Sequence, residues 1–165
     1  MSDFDVHIYT DGASSGNPGP GGYGIIMECP GSYRQGKPYK KEFSEGYKRT
    51  TNNRMELLAV ITALRKLKHP GTKVKIFTDS KYVTDAVEKG WVFTWERNAF
   101  KGKKNPDLWI AFLKEYRRHR VSFKWIKGHD NHMQNERCDQ LAVNASKKTP
   151  LLEDTGFENE QPRLL

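Results

Sequence analysis

Apolar and polar residues alternate at period two over Val6-His7-Ile8-Tyr9-Thr10, with a β-branched bias, and this predicts a strand. The strand is expected to stop at Asp11-Gly12. The run Gly16-Asn17-Pro18-Gly19-Pro20-Gly21-Gly22 is too rich in Gly and Pro for regular structure and reads as a loop. Residues 23–27 predict a second strand, closed by Cys29-Pro30-Gly31, and residues 40–47 a weaker third around Phe43. Three short strands joined by turns predict an antiparallel meander. The period then changes. Leu57, Leu58, Val60, Ile61, Leu64 and Leu67 recur at helical spacing, with Thr51, Asn52 or Asn53 as cap and Pro70-Gly71 as stop. Residues 74–78 predict a fourth strand and 81–89 a helix capped by Ser80. A further helix is expected from Asn105-Pro106 to about His119, a fifth strand over 121–127, and a last helix from Met133 or Asn135 to Lys147. This order predicts an α/β fold: a five-stranded mixed sheet, three antiparallel strands and then parallel ones, with helices on both faces. Right-handed crossovers make strands one, four and five parallel.

The length of 165 residues suits one domain, expected over 1–150, followed by an acidic C-terminal tail over 151–165. The tail sets Glu153, Asp154, Glu158 and Glu160 against Arg163 alone, and its Leu151, Leu152 and Phe157 are expected to pack back on the domain. The whole chain carries +8, from 28 Lys and Arg against 20 Asp and Glu, so the part before the tail is more basic still. Such a balance points to a polyanionic partner, nucleic acid first. No run of 18 apolar residues predicts a membrane span, and the start of the chain lacks a signal-peptide pattern. Cys29 and Cys138 make neither a disulfide framework nor a zinc site. A cytoplasmic monomer with no obligate protein partner is expected.

Four acids then change the picture. Asp11 and Asp79 each close a predicted strand, and parallel pairing would set them side by side, since neighbouring strands lie about 4.8 Å apart. Open α/β sheets place their sites at this edge. Two carboxylates so close repel unless a cation joins them. Glu56 falls in the first turn of the long helix beside core-like Leu57, and Asp139 falls inside the last helix beside Cys138. Hard oxygen ligands without thiolates or paired imidazoles suit Mg²⁺ or Mn²⁺. Two such ions can activate water and steady the leaving oxygen of a phosphodiester.

Several motifs carry a specific resemblance. They are Tyr9-Thr10-Asp11-Gly12, the glycine-rich run to Gly24, Thr50-Thr51-Asn52-Asn53-Arg54-Met55-Glu56-Leu57, Thr78-Asp79-Ser80, Trp125-Ile126-Lys127-Gly128-His129 and Asn135-Glu136-Arg137-Cys138-Asp139. In this order, over about residues 4–150, the chain resembles the bacterial ribonuclease H type 1 family. The resemblance implies a ribonuclease H-like fold and an endonuclease that hydrolyses the RNA strand of RNA/DNA hybrids, leaving 5′-phosphate and 3′-hydroxyl ends. It implies Asp11, Glu56, Asp79 and Asp139 as ligands of two Mg²⁺ ions, with Asp11 bridging and Mn²⁺ able to substitute. His129 matches a loop histidine that assists proton transfer or product release. Asn17, Asn52 and Asn53 match contacts in the hybrid's minor groove, including the 2′-hydroxyl, and amides suit a hydroxyl that both donates and accepts. Ser14 matches a further substrate contact, and Thr51 and Arg54 lie near a phosphate pocket.

The chain also departs from the family pattern. Lys81 stands where relatives often have Gln, which suggests a phosphate contact instead. Residues 90–104 resemble a basic protrusion a few residues shorter than in longer members. There Trp91, Trp95, Lys101, Lys103 and Lys104 interleave aromatics with cations, as a DNA-strand groove would. An added hybrid-binding module before the domain is not expected. A strand-transferase of the same fold, or a module that binds hybrids without cutting, are the alternatives.

Overall fold

The computed structural model describes residues 4–30, 37–128 and 132–160. One sheet holds β1 (Val6–Ser14), β2 (Gly19–Cys29), β3 (Tyr39–Thr50), β4 (Lys73–Thr78) and β5 (Arg120–Trp125) in the order β3-β2-β1-β4-β5. β2 runs antiparallel to both β1 and β3, and β4 runs parallel to both β1 and β5. The helices among the described residues are α1 (Asn52–Arg65), α2 (Lys81–Glu88), α3 (Trp91–Arg97), α4 (Pro106–Tyr116), α5 (Met133–Lys147) and α6 (Thr155–Glu160).

The period-two pattern sorts side chains between two cores. Val6, Ile8, Ile25 and Ile76 join Leu57, Ile61, Trp109 and Phe112 of α1 and α4 in the larger one. Tyr9 and Ile26 face the other way and meet Cys138 of α5. Thr51 and Ser80 cap α1 and α2, their hydroxyls accepting from the Arg54 and Val83 N–H groups.

Several elements differ from the sequence pattern. β1 does not stop at Asp11 but continues to Ser14, because Gly12, Ala13 and Ser14 pair with Tyr23, Gly22 and Gly21. β2 therefore begins at Gly19, inside the run expected to be a loop. The glycines serve packing there. A Cβ at Gly24 would overlap the Cys138 carbonyl oxygen, and one at Gly22 would come within 2.5 Å of the Ala142 carbonyl oxygen. Gly46 on β3 meets Ala145 in the same manner. α5 thus rests on the sheet backbone to backbone, a contact with no local signature. β3 extends beyond its expected bounds at both ends. α3 and α6 are helices where the pattern predicted none. Gly24→Ala is expected to cost about 1–3 kcal/mol by overpacking. A thermal melt checks this, and an unchanged midpoint would show that α5 is not seated on these glycines.

The acidic segment after Pro150 lies along the β3 edge. Leu152 exchanges backbone hydrogen bonds with Gly46 and Lys48 at 2.9 and 2.8 Å. Phe157 is buried, and Leu152 stays exposed.

Candidate active site

The β1–β4 register brings the acids together. Tyr9 lies opposite Phe77, so continuing the ladder by two residues sets Asp11 opposite Asp79. Gly12 then lets α1 descend onto β1, since a Cβ there would overlap the Glu56 amide. Glu56 thereby reaches the same edge from the opposite face. Ligand oxygens of Asp11, Glu56 and Asp79 all lie within 4.8 Å of one another. Asp139, carried by α5 on the glycine contact, lines the same cleft of about 450 Å³.

Asp11 and Glu56 are buried, at 5% and 6% exposure. Burial, then the charges of Asp79 and Asp139, pushes the Asp11 carboxyl up to about 8. Burial, then Asp11 and Asp79, raises Glu56 well above the ordinary carboxylate range. Glu56 Oε2 is buried with no hydrogen-bond partner among the described residues. Clustered hard oxygens, mutual repulsion and an unpartnered buried carboxylate oxygen together fit a divalent cation. The cation must displace protons here, so its affinity is expected to rise with pH up to about 8, by as much as roughly tenfold per unit. Calorimetric titration with Mn²⁺ at pH 6.5 and 8.5 checks this; equal affinities would contradict the protonated resting state.

A second concavity of about 460 Å³ adjoins the cleft. Asn17, Thr51, Asn53 and Lys104 line it, with Phe157 and Glu160 of α6. The two are linked at one hydrogen bond, in which the Asn52 N–H donates to Asn17 Oδ1 at 3.0 Å, while Asn52 also lines the acid cleft. Ser14, Lys81, Trp91, Trp95, Lys101 and Lys103 line neither concavity. Trp95 packs edge-on against Trp109 at 5.7 Å with Lys103 over its ring, whereas Trp91 is 46% exposed with Lys89 over it. His129 lies outside the described residues.

Arg54 corrects an expectation. Its side chain is buried, and its five N–H donors are all taken: by both oxygens of Asp154, both oxygens of Asp107 and the Asn105 amide oxygen. It has no donor left for a phosphate. Instead it joins α1, the start of α4 and the segment before α6. Thr50 Oγ1 also donates to Asp154, at 2.7 Å. Burial alone would raise Asp154, but its hydrogen bonds from Arg54 and Thr50 outweigh that and hold it low.

Asn135 is a site residue not singled out from the sequence. It is 4% exposed, lines the cleft, and leaves its amide oxygen without a partner among the described residues. Its spacing of four from Asp139 on α5 was the available signal.

A mixed sheet with carboxylates gathered at the ends of parallel strands defines an α/β protein whose acid cluster is consistent with divalent-cation use. The chain belongs to the RNase H family, whose model matches residues 3–147. It is 51% identical to the ribonuclease H of Idiomarina loihiensis over 160 residues, 94% of this chain and 96% of that one. Among solved structures it is similar to LC9-RNase H1, a type 1 RNase H with the type 2 active-site motif, at 34% identity and TM-score 0.76, over 99% of this chain and 83% of that one. It is also similar to LC11-RNase H1 in complex with an RNA/DNA hybrid, at 27% identity and TM-score 0.61, over 85% and 95% of the two chains. Among the described residues, no helix is long and apolar enough to cross a membrane.

Proposed function

We propose that the chain hydrolyses the RNA strand of RNA/DNA hybrids at the acid cleft, leaving 5′-phosphate and 3′-hydroxyl ends. The observation that carries this reading is the gathering of Asp11, Glu56, Asp79 and Asp139 around one cleft, joined through Asn52 and Asn17 to a second concavity. The four carboxylates would hold two Mg²⁺ ions, with Mn²⁺ as a substitute. Bound there, divalent cations supply a water nucleophile near neutral pH and offset charge on the leaving oxygen. Asn17, Asn52 and Asn53 meet the minor groove, where an amide can donate to and accept from the 2′-hydroxyl that marks RNA. Ser14 adds a contact at the end of β1. Lys104 and Thr51 face a backbone phosphate in the second concavity. Lys101, Lys103, Trp91 and the exposed part of Trp95 extend the contact along the DNA strand. His129 moves a proton or helps release product. The protein works as a cytoplasmic monomer.

The test uses matched 5′-labelled RNA/DNA, RNA/RNA and DNA/DNA duplexes, with Mg²⁺ and with chelator. Cutting of RNA only in the hybrid, lost in chelator, is expected. Hybrid bound but uncut would replace this reading with a binding module. Cutting of DNA would replace it with another nuclease of the same fold.

A further inference from the structure

The exit of β5 wraps Asp79. The Trp125 indole N–H donates to the Asp79 carbonyl oxygen at 3.0 Å, and Gly128 sits so close that a Cβ would come within 2.7 Å of Asp79 Oδ2. Trp125 pairs with Thr78 across the β4–β5 ladder, so it stands at the same edge of the sheet as the acids. Yet it is 42% exposed and belongs to neither apolar core. A tryptophan left open in this way is a candidate for recognition.

Two polar contacts fix the ring. One is the bond to Asp79. The other is the Lys81 ammonium, 4.8 Å from the ring centroid. Lys81 opens α2, where the helix dipole already places positive charge, so cation and dipole add at one spot beside an acidic cleft. A polyanion entering that cleft meets a compensating charge beside Asp79 there. The ring also orders the lysine in advance, which lowers the entropy lost on binding. The bases of a hybrid are stacked and paired, so what its backbone offers such a ring is a sugar and a phosphate.

We infer that Trp125 and Lys81 form a single substrate contact, in which the open part of the indole carries a sugar of the cleaved strand beside the scissile phosphate and the Lys81 ammonium takes the adjoining phosphate. This rests on the acid cleft being the hydrolytic site. The contact adds Trp125 to the recognition surface and gives Lys81 a partner that defines where its charge sits.

The experiment measures hybrid affinity in chelator, where nothing is cut, as a function of salt, and kcat and KM in Mg²⁺. Trp125→Ala is expected to weaken binding by about tenfold, the scale of losing the ring's apolar contact together with its cation–π pair. Trp125→Phe keeps a ring and loses the N–H donor; it should bind within about threefold of the parent and lose kcat through the freed Asp79 backbone. Lys81→Gln should lower the salt slope by about one. The double variant Trp125→Ala with Lys81→Gln should lose less than the product of the single losses, because one contact cannot be lost twice. Parental affinity in Trp125→Ala, in protein shown folded by circular dichroism, overturns the contact. So does an equal fall of kcat in Trp125→Ala and Trp125→Phe with binding intact, which would leave Trp125 as a positioning residue for Asp79. A parent chain that cuts no hybrid in Mg²⁺ refutes the functional reading instead, and the chelator titrations still decide the contact.

Discussion

Asp11→Asn is expected to lower hybrid hydrolysis by roughly a thousandfold or more while hybrid binding in chelator survives, because cation-assisted chemistry loses its central ligand. The same variant should be more stable than the parent without metal. Asp11 is held up to about 8 in the folded protein, mainly by burial, against 3.8 for an unperturbed aspartate. The folded state therefore binds more protons than the unfolded one between those values, and parental stability falls as pH rises through them. Asparagine removes that loss. The gain should be small near pH 4 and reach a few kcal/mol above pH 8, at about 1.4 kcal/mol per pKa unit. Melts in chelator across this range read it, and Mg²⁺ should raise the parental midpoint but not that of the variant. Parental activity in Asp11→Asn would remove this aspartate from the chemistry. Equal melts at pH 8.5 would contradict the buried charge.

Arg54→Ala is expected to cost about 3–5 kcal/mol, the usual effect of stripping the partner from a buried charge. The charge left behind is Asp154, 6% exposed. For a chain of this size the midpoint should fall by roughly 10 °C. The pH dependence should reverse as well. In the parent, Asp154 is held below 3.8, so its contribution is present above that value and is lost as pH falls through the lowered one. Without Arg54, burial dominates and raises Asp154, so the variant should regain stability as pH falls. Denaturant melts at pH 4 and 7 measure both effects. A loss below about 1 kcal/mol would show that water readily replaces Arg54, as at exposed ion pairs.

What the sequence made legible follows from the range of each interaction. Asp11 and Asp79 could be brought together because a parallel register is short arithmetic on two strand patterns. Glu56 and Asp139 could only be placed near the edge, since their approach depends on how far α1 and α5 descend. The start of β2 was hidden because Gly19, Gly21 and Gly22 look like turn residues, while the reason for Gly22 is a helix more than a hundred residues away. The family resemblance puts Arg54 near a phosphate pocket; Asp154, one hundred positions on, and Asp107 take its donors instead. The helix at Thr155–Glu160 is too short for periodicity to reveal.

The glycine seat of α5 has a practical corollary. The height of the helix over the sheet is set by main-chain atoms of Cys138, Ala142 and Ala145, not by the fit of interchangeable side chains. Its outward positions, such as Asn144 and Lys147, are exposed. They can therefore accept dyes, linkers or surface tethers, and the inner side will keep presenting Asp139 at an unchanged depth.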